Sequence, residues 1–264
     1  MDLGIADRVA LVSGGSRGLG RATADLLADE GVRVVIVART QGLIDETVEA
    51  IAARGGQAVG VAADMTTSEG VTRAVEVSRT HFAAPDIAIA NVHSPRDGDF
   101  FEVSEDDFHA AFQALTISIA LLARAVLPSM KAQGWGRLVN IGSGSAKEPP
   151  RELRHILGNT ARSSGITLCK SLANEFGPHG ITVNSLGTGL FRTGFMEDFF
   201  DRLAQERGIE REQAIDAWCD TVPMKRPGRP EEMAAICAFL CSEWAGYLTG
   251  QMITVDGGFG RSAW

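Results

Sequence analysis

A glycine-rich turn lies between the first predicted strand and the first predicted helix, and it constrains the fold more than any other segment. It reads Ser13-Gly14-Gly15-Ser16-Arg17-Gly18-Leu19-Gly20, and a helical pattern over 21–30 follows. Its glycines permit a tight turn and close backbone approach, while the helix N-terminus presents free amides and a positive dipole end. This strand–turn–helix unit predicts a nucleotide pyrophosphate site. The expected contacts are Gly14, Ser16, Arg17, Gly18, Leu19 and Gly20.

Short β-branched runs alternate with longer segments of helical period, which is typical of βαβ units on a parallel sheet. The predicted strands cover 8–12, 32–37, 58–62, 87–91, 137–141, 181–186 and 251–255. No repeat or linker divides the 264 residues. We therefore expect one Rossmann-like domain over 1–264, a doubly wound, seven-stranded parallel sheet with helices on both faces.

One segment, 190–222, interrupts the strand–helix rhythm. It is acidic and aromatic-rich. An insertion after a C-terminal strand end commonly covers a pocket, so we predict a helical substrate lid here. The alternative is a pair of helices packed on the core.

The composition excludes several classes of partner. The net charge is −8 and Lys and Arg form no run, which argues against nucleic-acid binding. The start, Met1 to Gly4, lacks a signal peptide's basic and apolar regions, and we expect no spanning helix, hence a cytoplasmic protein without a membrane partner. The four cysteines suggest no disulfide framework or zinc set, so we expect buried, reduced thiols and no metal.

The end of the second predicted strand determines the expected cofactor. An NAD site normally carries an acidic residue there to bond the ribose 2′-hydroxyl, but the chain reads Val-Ala-Arg-Thr over 37–40. Arg39 and Arg17 can instead pair with a 2′-phosphate, because guanidinium matches phosphate oxygens bidentately. The sequence therefore favours NADP(H) over NAD(H). The alternative is two solvated arginines without a ligand.

Several further motifs resemble one enzyme family. They are Asp64 after strand three, Val183-Asn184, the run Arg-Pro-Gly-Arg-Pro-Glu-Glu at 226–232, Thr249-Gly250-Gln251 and Val255-Asp256-Gly257-Gly258. Together with the turn at 13–20, they resemble the short-chain dehydrogenase/reductase family from about 7 to 258. The resemblance implies cofactor contacts from Asp64, its neighbour Met65, Asn91, Thr193 and Arg162. It also implies a homo-oligomer, a tetramer or dimer, packed through helices over 105–130 and 153–176.

The chain departs from the family in its catalytic machinery. The family's serine is kept as Ser143, but the relay asparagine falls on Leu115, and the Tyr-x-x-x-Lys pair falls on Gly158 and Arg162. Arg162 can still bond a ribose and, with Ser143, stabilise an oxyanion. It cannot release a proton near neutral pH. Substitute polar residues close to the empty position are His155 and Asn159, with His93 after strand four; the alternative for each is a structural role.

These observations favour an NADP(H)-dependent oxidoreductase that reduces a carbonyl or activated C=C bond with a non-standard proton donor. Its substrate would be a small molecule, and the phenylalanines of the lid suggest an apolar or acyl one. Two alternatives remain open: a non-redox enzyme such as an isomerase, dehydratase or cyclase, and a catalytically silent nucleotide-binding subunit.

Overall fold

The computed structural model describes residues 2–93, 95–150 and 154–262, which form a seven-stranded parallel sheet in the order β3-β2-β1-β4-β5-β6-β7. The strands are β1 Val9–Ser13, β2 Arg33–Ala38, β3 Ala58–Ala62, β4 Ile87–Ala90, β5 Gly136–Ile141, β6 Ile181–Thr188 and β7 Met252–Val255. This confirms the predicted doubly wound sheet. The strand ends differ from the predicted ones by one or two residues.

Helices cover both faces of the sheet. They are α1 Gly18–Asp29, α2 Gln41–Ala53, α3 Ser68–His81, α4 Glu105–Phe112, α5 Ser118–Gln133, α6 Ile156–Phe176, α7 Gly194–Arg207, α8 Arg211–Cys219 and α9 Pro230–Cys241. Alternate residues of β1 show why both faces are buried. Ala10 and Val12 enter an apolar cluster with α1, α2 and α9, whereas Val9 and Leu11 enter one with α3, α5 and α6.

The helix predicted over 105–130 is interrupted by a π-helical segment, Gln113–Ile117, between α4 and α5. Thr116 donates a hydrogen bond to the carbonyl of Ala161 on α6 at 2.9 Å, and its hydroxyl lies 2.5 Å from that of Ser164. A Cβ on Gly165 would lie 2.5 Å from the Leu115 carbonyl oxygen. The bulge therefore accompanies a close approach of two helices, which sequence periodicity does not reveal.

One described stretch, Glu105–Gln133, is long and apolar enough to cross a membrane by length and composition, which the sequence reading did not anticipate. Half of its most apolar window is buried inside the protein. It packs on α3, α6, β4 and β5, as expected of a core helix in a globular domain.

The insertion at 190–222 forms α7 and α8, which share a small apolar cluster of their own. Thr193 begins α7 as its N-cap, and its hydroxyl accepts a bond from the Met196 amide at 3.4 Å. Phe200 is fully buried between the two helices. Phe191 belongs instead to the main core, where it packs against Gly228.

Candidate active site

A cleft of about 1460 Å³ opens at the carboxyl ends of the seven strands. Parallel sheets bind ligands at this edge, beside the point where the strand order reverses, here between β1 and β4. The cleft is lined by nearly all the residues predicted to bind a cofactor, namely Gly14, Ser16, Arg17, Gly18, Leu19, Arg39, Asp64, Met65, Asn91, Arg162 and Thr193. The loops that follow the strands therefore meet at a common site.

The glycine-rich turn has the backbone geometry that its sequence predicts. Gly14 and Gly18 adopt φ of 62° and 56°, a region that favours glycine. Asn91 fixes the turn from β4, since its carbonyl accepts from the Ser13 hydroxyl at 2.9 Å. No side chain caps α1, so its first amides face the cleft uncapped. They form a cradle for an anionic group.

Gly20 differs from the other glycines of the turn because it does not line the cleft. A Cβ at this position would lie 2.2 Å from the Gly14 carbonyl oxygen and 2.6 Å from the Asn91 amide nitrogen. The expected cofactor contact at Gly20 stays a prediction. This residue permits α1 to pack closely against the turn.

Arg17 and Arg39 lie on the cleft wall with exposed side chains. Within the part of the chain that the structure describes, neither forms an ion pair or side-chain hydrogen bond. Asp64 is close enough to sense the charge of Arg39, but its carboxylate accepts bonds from the amide and hydroxyl of Thr66 at 2.9 and 2.7 Å. These bonds are the main reason that the pKa of Asp64 is lowered. Two cations are thus left facing the cleft.

His93 belongs to this same end of the cleft. Burial is the main reason that the pKa of its imidazole is lowered. The charges of Arg39 and Arg17 lower this pKa further, whereas the charge of Asp64 raises it. It follows β4 and lines the cleft, and the charges of both arginines reach it.

Ser143 follows β5 and lines the cleft. Its hydroxyl oxygen accepts a bond from the Ser145 amide at 3.3 Å and lies 3.0 Å from the Ser145 hydroxyl. The Thr188 carbonyl, at the end of β6, accepts from Ser143 at 3.5 Å. The hydroxyl is therefore held between two strand ends.

Gly158 and Arg162 occupy successive turns of α6 and are directly related in space. A Cβ built on Gly158 would lie 2.8 Å from Nη1 of Arg162. The guanidinium therefore lies back over the glycine and uses the room that a side chain at this position would need. Burial lowers the pKa of Arg162 to about 10, so this group stays charged at neutral pH. The relay position Leu115 is core, packed with Leu157 and Ala161.

His155 precedes α6 and lines the cleft near Arg162. Its Nε2 lies 2.6 Å from Oδ1 of Asp97, at ion-pair distance, although the two atoms are not aligned as a hydrogen bond. The other oxygen of Asp97 accepts a bond from Arg202 of α7 at 3.3 Å. Sequence reasoning found His155 but missed Asp97 and Arg202, because nothing along the chain links these three positions.

Asn159 follows Gly158 on α6 and is not among the side chains that line the cleft. Its expected catalytic role stays a prediction. Its backbone N–H donates to the His155 carbonyl at 2.8 Å. Its buried side-chain Oδ1 has no hydrogen-bond partner among the residues described.

Aromatic side chains wall the far end of the cleft. Phe199 contacts Trp218 edge-on, and Phe259 stacks on the other side of Trp218 with ring centroids 5.9 Å apart. The carboxylate of Glu148 accepts from the amides of Arg261 and Ser262, so the C-terminal segment closes one side. Among described residues, no group of three or more His, Cys, Asp or Glu side chains is placed to hold a metal.

Comparisons with known proteins agree with this architecture. Residues 14–260 match the family model described as enoyl-(acyl carrier protein) reductase. The short-chain reductase protein NovJ of Streptomyces niveus is 32% identical and aligns over 96% of this chain and 94% of its own length. The NADPH-dependent reductase BacG of Bacillus subtilis is 30% identical over 98% of this chain and 100% of that protein.

A solved structure is similar over the whole fold. L-sorbose reductase from Gluconobacter frateurii, complexed with NADPH and L-sorbose, has a TM-score of 0.94 and 30% identity, and the match covers 99% of this chain and 100% of that one. The family model covers most of the chain, and the glycine-rich turn, Asp64 and Asp256 line the cleft that the fold creates. The chain therefore belongs to the short-chain dehydrogenase/reductase family of oxidoreductases.

Proposed function

We propose that the protein is an NADP(H)-dependent reductase that acts on a small-molecule carbonyl or activated C=C bond. The observation that carries the proposal is the pair Arg17 and Arg39, exposed on the cleft wall without an ion-pair partner among the described residues. A guanidinium pair beside a glycine-rich turn suits a 2′-phosphate. BacG is named as an NADPH-dependent reductase and L-sorbose reductase is complexed with NADPH, and both relatives support the same cofactor.

The residues present fit this cofactor. The uncapped amides at the start of α1 would hold the pyrophosphate, and Asp64 and Met65 would flank the adenine. Asn91 and Thr193 line the cleft toward the nicotinamide side that the family resemblance implies. When bound, NADPH supplies a hydride to the substrate.

Ser143 and Arg162 would stabilise the negative charge that develops on the substrate oxygen. Both line the cleft, the hydroxyl is fixed by the Thr188 and Ser145 contacts, and the guanidinium remains charged at neutral pH. A fixed donor and a fixed cation in a partly buried site stabilise an oxyanion more strongly than they would in water. This suits reduction of an activated C=C bond, where an enolate oxygen needs stabilisation but no immediate proton.

His155 is the proposed proton donor, since it lines the same cleft and has a side chain type suited to proton transfer near neutral pH. The aromatic wall formed by Phe199, Trp218 and Phe259 favours an apolar or acyl substrate beneath α7 and α8. We accordingly propose that 190–222 serves as the substrate lid.

A second candidate is a nucleotide-binding subunit without redox chemistry. The Gly158–Arg162 arrangement favours this second candidate, because a guanidinium that cannot release a proton near neutral pH takes the place of the family's phenol. This candidate predicts NADP(H) binding without turnover, which separates it from the reductase.

Calorimetric titration with NADPH and NADH tests the cofactor. We expect tighter binding of NADPH, and Arg39→Ala should weaken NADPH by about 10-fold or more with little effect on NADH, as expected for a charge-assisted phosphate contact. The matched control is Arg73→Ala, an exposed arginine on α3 outside the cleft. Equal losses for both nucleotides would overturn the 2′-phosphate assignment. If NADPH binds as expected, enones and ketones are screened as substrates by following NADPH oxidation.

The expected cytoplasmic homo-oligomer also stands as a proposal. Phe112 and Ile117 expose apolar side chains at the junction of α4 and the π-helical segment, within the predicted contact region. Large exposed apolar side chains on one element favour a protein interface. Leu153, at the start of the second predicted contact region, lies outside the described residues.

A further inference from the structure

Asp97 joins three elements around the reaction end of the cleft, by which we mean the part lined by Ser143, His155 and Arg162. It lies in the loop between β4 and α4, and its two carboxylate oxygens face different partners. Oδ1 lies 2.6 Å from Nε2 of His155, whereas Oδ2 accepts from Arg202 on α7 at 3.3 Å. The loop is held against the start of α6, because the Gly98 amide donates to the Arg154 carbonyl at 2.7 Å. One carboxylate thus touches both the cleft histidine and the helix over the cleft.

The charges around Asp97 favour its ionised form. Burial alone would raise the pKa of this carboxyl, but His155, Arg202 and Arg154 outweigh it, so the net pKa is lowered. Arg162 also senses this carboxylate from α6. The guanidinium of Arg154 is itself engaged by Asp99 and Glu102. Among the residues that the structure describes, His155 and Arg202 are therefore the groups that contact the Asp97 carboxylate directly.

We propose that Asp97 is a positioning residue that orients His155 as the proton donor, and that Arg202 docks α7 on the same carboxylate, so that the donor is set when this helix covers the cleft. The inference rests on the proposed reductase function. A carboxylate behind an imidazole fixes its orientation and stabilises its charged form. With Nε2 facing Asp97, Nδ1 is the nitrogen left for the substrate.

The proton step balances without another reactant. A bound NADPH would supply the hydride for the substrate carbon. On protonation of the reduced substrate, the N–H bond of the His155 imidazolium breaks and its electron pair stays on nitrogen. The proton goes to the alkoxide oxygen of a ketone or to the enolate carbon of an enone. The neutral imidazole then regains a proton from water. Asp97 remains ionised throughout.

The first test needs no substrate. The imidazole C–H resonances of ¹³C-histidine-labelled protein are recorded at one fixed pH, and those of His155 are assigned by their loss in His155→Gln. In Asp97→Asn we expect the His155 resonances to move, because a neutral amide replaces the charged oxygen that lies 2.6 Å from Nε2. Asp97→Glu should restore most of the wild-type position. Unchanged His155 resonances in Asp97→Asn would overturn the pairing, whether or not the protein is a reductase.

The second test is kinetic and uses the full chain with NADPH and a substrate found by the screen. Asp97→Asn should lower kcat by about 10-fold or more with little change in KM, and Arg202→Gln should act in the same direction. The double variant should fall short of the product of the two losses, because both changes act through one carboxylate. The control is Arg207→Gln, an exposed arginine at the end of α7. Fully multiplicative losses, or losses confined to KM, would refute the coupling through Asp97.

Discussion

Gly158→Ala is the most direct test of the arrangement at the reaction end of the cleft. The added Cβ would lie 2.8 Å from Nη1 of Arg162, whereas an optimal contact is about 3.5 Å, so the guanidinium must move by roughly 0.7 Å. The obstructing atom is the far end of a flexible side chain, so the backbone need not shift. The substitution therefore displaces one functional group while leaving the fold in place.

The expected effects on stability and on catalysis have opposite signs. Alanine in a helix is favoured over glycine by up to about 1 kcal/mol, so the free energy of unfolding should rise slightly or stay within about 1 kcal/mol. A displacement of nearly 1 Å at a catalytic group costs up to about 100-fold in rate. We expect kcat to fall by roughly 10- to 100-fold, equivalent to about 1.4–2.7 kcal/mol of transition-state stabilisation.

The assays are urea unfolding, calorimetric NADPH binding and steady-state reduction by wild type and variant. NADPH affinity should change by less than about threefold if the guanidinium serves the substrate oxygen and not the ribose. Gly177→Ala is the control, since this glycine ends the same helix in a right-handed conformation with nothing near its Cβ position. A variant with unchanged kcat would refute the oxyanion role of Arg162. A large loss of NADPH affinity with unchanged kcat would assign the guanidinium to the ribose instead.

Gly20→Ala should lower the free energy of unfolding by about 1–3 kcal/mol in urea, because its Cβ would meet the Gly14 carbonyl at 2.2 Å. Because burial raises the pKa of Cys169 to about 11, this thiol should stay protonated and resist Ellman's reagent in the native protein, while all four cysteines react after unfolding. Since the pKa of Asp97 is lowered, its carboxylate contributes stability above about pH 4 that is lost as the pH falls, so Asp97→Asn should unfold at lower urea concentration than wild type near neutral pH, and the difference should narrow as the pH falls below about 4. Ile117→Asp should dissociate the proposed oligomer in size-exclusion chromatography with light scattering, because it places a charge at an exposed apolar position.

The parallel sheet could be predicted because its strands are continuous β-branched runs bounded by turns. The run from Val9 to Val12 is buried on both faces, and this leaves a sequence signal that helical segments do not imitate. The predicted pyrophosphate site could be recognised equally well, since the turn at 13–20 acts through backbone geometry that the glycine spacing indicates. These features are local, and local patterns predicted them.

The reaction end of the cleft could be predicted less well from the sequence, because its contacts join segments that are distant along the chain. Asp97 meets His155 and Arg202 only after the loop beyond β4, the start of α6 and α7 have come together. Asn159 is not among the side chains that line the cleft, and a one-residue step along a helix is finer than sequence alignment to a motif resolves. The π-helical segment likewise depends on Thr116 reaching across to α6.

Gly158 and Arg162 are best understood as one change and not as two. Arginine at position 162 with a larger residue at position 158 would force its guanidinium elsewhere, since even a Cβ there lies 2.8 Å from Nη1. Glycine alone at position 158 would leave a void beside a reactive cleft. Together they place a permanent positive charge in the room vacated by the missing side chain. A site built this way would stabilise an anionic oxygen but could not protonate it near neutral pH. It would therefore require a separate proton donor, the role proposed for His155 with its partner Asp97.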